Sequence, residues 1–214
     1  MTNIEEKIRD LAKKYATNLD NKVKLRIEEM ENDDNSHYLI YQVLGIMEQE
    51  GFQIDLYQNK GRFLYKYAGS FLEEAATLCF VEKFGIDNAY KIKIPNTIGS
   101  RPKTFEIDCL INETNAYEIK WRDATTDGDH ITKEHTRIQV ISSANYKPIR
   151  LMFYYPNRKQ AIRIQQTLET LYSGIGGEYY YGESAWRHLK EVTDIDLQDI
   201  LIKIAEENRS GGLK

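Results

Sequence analysis

Two acidic residues and a lysine, Asp108, Glu118 and Lys120, stand in the neighbouring segments KTFEIDCLI and AYEIKW. Successive side chains of a β-strand point to opposite faces. In the first segment, alternation places Phe105, Ile107, Cys109 and Ile111 on one face and Glu106 with Asp108 on the other. In the second it separates Tyr117, Ile119 and Trp121 from Glu118 and Lys120. The intervening Asn112-Glu113-Thr114-Asn115 has residue types that suit a tight turn. Paired as a hairpin, the two strands bring Asp108, Glu118 and Lys120 to one point on an otherwise apolar sheet.

That combination suits metal-assisted hydrolysis of a phosphodiester. Carboxylate oxygens are hard donors that hold Mg2+ and leave waters in its shell. The transition state gathers negative charge, and the attacking water must lose a proton. Asp108 and Glu118 are therefore the expected metal ligands, joined by the Ile119 carbonyl. Lys120 is expected to orient or help deprotonate the water and to stabilise charge on the phosphate; one or two metals are compatible with the pattern. The plainer alternative is a solvated sheet face with weak cross-strand ion pairs. The apolar character of both strands, and the charge-dense segment RDATTDGDHITKEHTR that follows, favour the site.

Within that segment, a helix starting near His130 sets His130, Lys133 or Glu134, and Arg137 on one side. Arg122, Asp123, His130, Lys133 and Arg137 are the candidate DNA contacts, to phosphates or base edges. A helix start capped by Asp129 with a solvated face is the competing reading. Upstream, Glu73 and Glu74 are candidates for a further catalytic acid that binds metal or water. Glu73 also fits a capping box with Ser70. Helical projection sets Glu74 nearer the edge of the apolar face of Phe71, Ala75 and Cys79.

The remaining elements must position this core. Apolar residues from Ile4 to Met30 recur at three- and four-residue steps, predicting one long amphipathic helix or two abutting ones. A second helix is expected over about 36–49, ending at Gly51. A third, SFLEEAATLCFVEKF, is expected to open at Gly69-Ser70 and stop at Gly85. The strand-like runs are YKIKI, the two core segments and IRLMFYY. Helices are expected over about 132–144 and 159–172, with one or two more between Gly182 and Asn208. The run Tyr179-Tyr180-Tyr181 reads as part-buried core or interface, with base stacking the alternative. The order implies an α/β (α+β) fold, a mixed central sheet flanked by helices, in one domain spanning 1–214. Residues 1–50 form its helical N-terminal part, 69–155 the catalytic core and 156–214 the C-terminal helices.

Composition narrows the classes. The chain has 214 residues, 41% of them hydrophobic and 29% charged, as in ordinary globular proteins. No apolar run is long enough for a membrane span and the N-terminus lacks a secretory pattern, so a cytoplasmic protein is expected. Net charge is −4, which argues against a broadly basic nucleic-acid coat but permits a local basic groove. Cys79 and Cys109 read as buried small hydrophobes. The four histidines form no zinc-binding cluster, and no nucleophile elbow, P-loop or dinucleotide fingerprint occurs, so no nucleotide cofactor is expected.

Asp108 followed by Glu118-Ile119-Lys120 resembles the D-x(n)-(D/E)-x-K core of PD-(D/E)xK type II restriction endonucleases. The stretches TFEIDCLI, AYEIKWRDATTDGDHITKEHTR and GESAWRHLKEVTDIDL are similar to segments of that class, and within it to an ApaLI-like group. The likeness is clearest from Gly69 to Leu197. Ile107 stands where the superfamily's proline precedes the aspartate. The resemblance implies a homodimer that cuts double-stranded DNA at a short specific site with Mg2+, residues 1–50 being a candidate dimer interface. A repair or recombination nuclease of the same fold, or a non-catalytic DNA-binding module, are the alternatives.

Overall fold

The computed structural model describes residues 3–122 and 127–210. Its contacts cluster into two compact units, Arg9–Phe71 and the combination of Met1–Ile8 with Leu72–Lys214. No helix among the described residues is long and apolar enough to cross a membrane.

The first of these units, 9–71, is built from three helical pieces. α1 (Asn3–Glu31) is one continuous helix, rather than the two abutting ones that its periodicity equally allows. α2 (Tyr38–Val43) is short, and α3 (Glu48–Phe84) runs for 37 residues. Edge-to-face contacts of Tyr15 with Tyr67 and Phe71, at 6.2 and 5.8 Å, pack α1 on α3. Two expected helix boundaries move. The break after α2 falls at Gly45, whose φ of +85° is a left-handed conformation that glycine adopts without strain. Gly51 instead lies inside α3, where the Tyr41 ring packs so close that a Cβ would stand 2.7 Å from it. Gly69-Ser70 likewise lies inside α3, so Ser70 opens no helix and forms no capping box with Glu73. Gly85, with φ +82°, ends the helix as expected.

In the other unit a five-stranded mixed sheet is ordered β1-β2-β3-β4-β5, with β1 (Ala89–Pro95), β2 (Thr104–Ile111), β3 (Asn115–Arg122), β4 (Lys147–Tyr154) and β5 (Glu178–Tyr181). The first three strands are antiparallel neighbours, and β3, β4 and β5 run parallel. Parallel neighbours need a crossover. Helices α4 (Asp129–Ser143) and α5 (Lys159–Gly174) provide the two crossovers, and α6 (Glu183–Thr193) and α7 (Leu197–Ser210) follow. The fifth strand was not expected; the tyrosine run forms it.

The β2–β3 turn closes with Asn112 and Glu113 both at positive φ, 51° and 50°, and Thr114 N–H donating to Ile111 O at 3.0 Å. This type I′ geometry matches the twist of the hairpin. Even alternation along β2 does not hold. Phe105, Ile107 and Leu110 join one cluster with Ala116 and with Val140 and Ile141 of α4, which needs a change of parity between 107 and 110. The β1–β2 register shifts at this place, between Tyr90 and Ile92, the mark of a bulge. Glu106 and Asp108 therefore do not share a regular face. On the sheet's other side, Tyr117 packs on Phe80 of α3 at 4.6 Å and hydrogen-bonds His188 of α6 at 3.1 Å. Cys79 and Cys109 are buried, as expected, and burial pushes both thiols up to about 12.

Gly177 lets the start of β5 approach β4: a Cβ there would lie 2.6 Å from Pro148 O and 3.0 Å from Tyr172 O, both backbone atoms. Gly177→Ala is expected to cost about 1–3 kcal/mol in urea unfolding. Gly61→Ala, in α3 with open space around it, is expected to gain about 0.5–1 kcal/mol.

Candidate active site

Strands β2 and β3 pair from Ile111↔Asn115 through Cys109↔Tyr117. One step further the register would set Asp108 against Glu118. There the pairing changes character: Asp108 Oδ2 accepts the Ile119 N–H at 2.8 Å, so a side chain takes a backbone donor of β3. Asp108 and Glu118 are both buried, at 5% and 3% exposure. Burial and the charge of Glu118 raise the Asp108 carboxyl to about 7, against the pull of Lys120.

Glu118 is held from two sides. Lys120 Nζ lies 2.5 Å from Oε1, and the Arg137 guanidinium pairs with Oε2. Burial alone would raise this carboxyl; the positive charges of Arg137, Lys120 and Arg150 outweigh it and keep Glu118 ionised. Arg137 also donates to the Glu106 carbonyl and lies 3.8 Å from Glu134 Oε2, one helical turn back. Glu134 in turn accepts from Arg150 at 3.1 Å and from the Tyr172 hydroxyl at 2.6 Å. Arg150 is fully buried and neighbours Glu118 in the parallel β3–β4 register. A continuous chain of charge thus runs Lys120, Glu118, Arg137, Glu134, Arg150.

Of the upstream acids, Glu73 is brought near. Its carboxylate meets Lys91 at 2.8 Å; Lys91 also reaches Glu106 at 3.0 Å, and the charge of Glu73 is felt at Asp108. Of the residues expected at DNA, Lys133 is exposed, and Arg122 and His130 are half-buried. Arg137 turns inward, its guanidinium committed to Glu118 and Glu134 rather than to a phosphate. Asp123 lies outside the described residues. Sequence reasoning missed the roles of Arg150, Tyr172 and Lys91. Arg150 had a signal, a lone charge inside the apolar run IRLMFYY, which needs a buried partner.

Hard oxygen donors, a nearby cation and a carboxyl raised by burial and by its like-charged neighbour are features that would suit a divalent cation more than a plain solvated sheet face. No cluster of three or more His, Cys, Asp or Glu at metal-binding spacing occurs among the described residues; the residues that could hold a cation here are the Asp108–Glu118 pair. Mg2+ keeps several waters and is commonly held by one or two carboxylates, so the pair suffices.

A mixed sheet flanked by helices, with two carboxylates and a lysine gathered where two strands part, defines a restriction-endonuclease-like fold. The chain matches the model of the ApaLI-like restriction endonuclease family over residues 1–206, and it belongs to that family. Neither a curated relative nor a solved structure matches it. Membership makes the protein a DNA-cleaving enzyme whose substrate is double-stranded DNA.

Truncating Glu134 would remove the carboxylate shared by Arg137, Arg150 and Tyr172. Glu134→Ala is expected to cost about 3–5 kcal/mol, as when a buried ion pair loses one member. Lys133→Ala, next to it but exposed, is expected to stay within about 0.5 kcal/mol of wild type. Urea unfolding of both variants checks the contrast; equal costs would mean that the network adds nothing.

Proposed function

We propose that this chain is a Mg2+-dependent type II endonuclease whose cation is held by Asp108 and Glu118, with the Ile119 carbonyl as a further donor. The observation that carries the reading is the buried Asp108–Glu118 pair with Lys120 Nζ 2.5 Å from Glu118. When bound, Mg2+ would polarise the scissile phosphate and acidify a coordinated water. The protein's own residues supply the rest. Ile119 N–H fixes the Asp108 carboxylate, Arg137 fixes that of Glu118, and both are therefore preorganised.

Lys120 is the most exposed member of the chain of charges, its side chain 34% accessible against 12% for Arg137. Its neighbours Glu118 and Asp108 outweigh burial and keep its ammonium charged. This favours Lys120 as the group that orients water and stabilises negative charge, over a role as proton acceptor. Glu73 is the candidate for a further acid, steered by Lys91. Lys133, Arg122 and His130 are the candidate DNA contacts, and two copies are expected to act on a symmetric site.

Asp108→Asn and Lys120→Ala should each lower cleavage of unmethylated phage DNA by about 10²-fold or more, while binding in Ca2+ stays close to wild type. Discrete Mg2+-dependent bands on a gel support site-specific cleavage, and a smear argues against it. Mg2+ should raise the Tm of wild type and leave that of Asp108→Asn unmoved, because a ligand of the native state stabilises it. Full activity in a chelator, or equal loss of DNA binding in both variants, would overturn the assignment.

A further inference from the structure

Strands β3, β4 and β5 run parallel, so their C-terminal ends meet along one rim, the side on which open α/β sheets bind ligands. Register sets Lys120 opposite Met152, and Met152 opposite Tyr181. Paired residues of parallel strands point to one face, so these three side chains form a row across the sheet. Met152 is sealed in the middle, whereas Tyr181 is 41% exposed and the Lys120 side chain 34%. Neighbouring strands lie about 4.8 Å apart, which sets the two ends of the row about 10 Å from each other.

Tyr181 is held as a fixed surface. Its ring packs on that of Tyr155, with centroids 4.4 Å apart and planes inclined by 37°. Its N–H donates to Ser184 Oγ at 3.0 Å, and the Ser184 hydroxyl donates to the Tyr181 carbonyl at 2.8 Å. The next residue, Gly182, donates its N–H to Met152 O at 2.9 Å. The surroundings suit a nucleic acid. Residues 154–163, which run on from the end of β4, include Arg158, Lys159 and Arg163, all exposed, and no acid. One row further along, Arg122 stands opposite Tyr154, which is 50% exposed. Exposed aromatic rings among cations serve a base and its phosphates together. The family already makes the substrate double-stranded DNA. Inside a duplex both faces of a base are covered by its neighbours, so a ring reaches one only where the stack is opened.

We propose that Tyr181, backed by Tyr155, stacks on a base drawn out of the duplex close to the scissile phosphate. The proposal rests on the reading that Lys120 faces that phosphate. The row then fixes the region of the base. Duplex DNA rises about 3.4 Å per step of one strand, so a reach of about 10 Å corresponds to about three steps from the cut. Opening a step is easiest where pairing and stacking are weak, so this contact also makes cutting depend on the sequence beside the bond. Stacking uses the ring and not the hydroxyl, so phenylalanine should serve in place of Tyr181.

The bond cut by wild type is mapped first, and duplexes are made with 2-aminopurine at single positions within about three steps of it. Binding is read in Ca2+, without cleavage. Wild type and Tyr181→Phe should raise 2-aminopurine emission severalfold at one of these positions. Tyr181→Ala should bind about tenfold or more weakly, the loss of one base–aromatic stack. On a duplex abasic at that position, Tyr181→Ala and wild type should bind alike. Tyr181→Leu, which keeps an apolar side chain against Tyr155, should bind as weakly as Tyr181→Ala with the Tm of wild type, which separates stacking from folding. Emission unchanged at every position, Tyr181→Ala binding like wild type, Tyr181→Phe as weak as Tyr181→Ala, or a loss as large on every abasic duplex would each overturn the proposal. Lys120→Ala tells its failure from that of the reading beneath it. Normal cutting by that variant would sink both, whereas an inactive variant with unchanged emission in wild type would sink the stacking alone.

Discussion

Burying a charge costs several kcal/mol unless an opposite charge and hydrogen bonds go in with it, and Glu118 is 3% exposed. Its pairing with Arg137 is the interaction on which the site depends. Arg137 can serve only if α4 is held against the sheet, and Glu134, one turn back on α4, is fastened to Arg150 of β4 and Tyr172 of α5. The chain of charge therefore links four consecutive elements, β3, α4, β4 and α5. These are the crossover that makes β4 parallel to β3 and the helix that follows it. The polar core of the fold and the support of the acidic pair are the same set of side chains.

The hairpin, and the gathering of Asp108, Glu118 and Lys120 on it, were legible because a period of two and a turn-forming quartet are both local signals. The detail that gives Asp108 its position was not. A bulge shifts backbone parity without leaving a mark in residue type, so Ile107 and Leu110 share a cluster that alternation would divide. Glycine misled in the helices for a related reason. Its cost inside a helix, about 1 kcal/mol, is small beside the packing of a 37-residue α3, so Gly51, Gly61 and Gly69 lie within it. At Gly45 and Gly85 positive φ, not mere presence of glycine, makes the break. Arg137 was expected at the surface because its partner Glu118 is 19 positions away in sequence and neighbours it only through the crossover. β5 escaped because three tyrosines in a row carry no alternation, although Gly177 and Gly182 bracket them.

A whole-chain charge of −4 conceals more than it tells. In 9–71 it averages −8 over residues 28–59 with +7 over residues 9–27 and 60–71 together, and whole-chain composition gives no trace of that segregation. Charge is informative at the scale of the Debye length, about 8–10 Å at physiological ionic strength, which corresponds to a few helical turns rather than to a protein.

The same scale applies at the site. Three carboxylates, Asp108, Glu118 and Glu134, stand with three cations, Lys120, Arg137 and Arg150, so the cluster is nearly balanced despite its buried acids. Balance by count is not balance by position. Arg150 is sealed, and Arg137 and Glu134 are almost so; Lys120 alone of the six has a third of its side chain in solvent. Lys120 is thus the member of the six that solvent reaches most readily, while the carboxylates are buried. An acidic protein can in this way keep its accessible charge positive at a cluster whose negative charges are sealed.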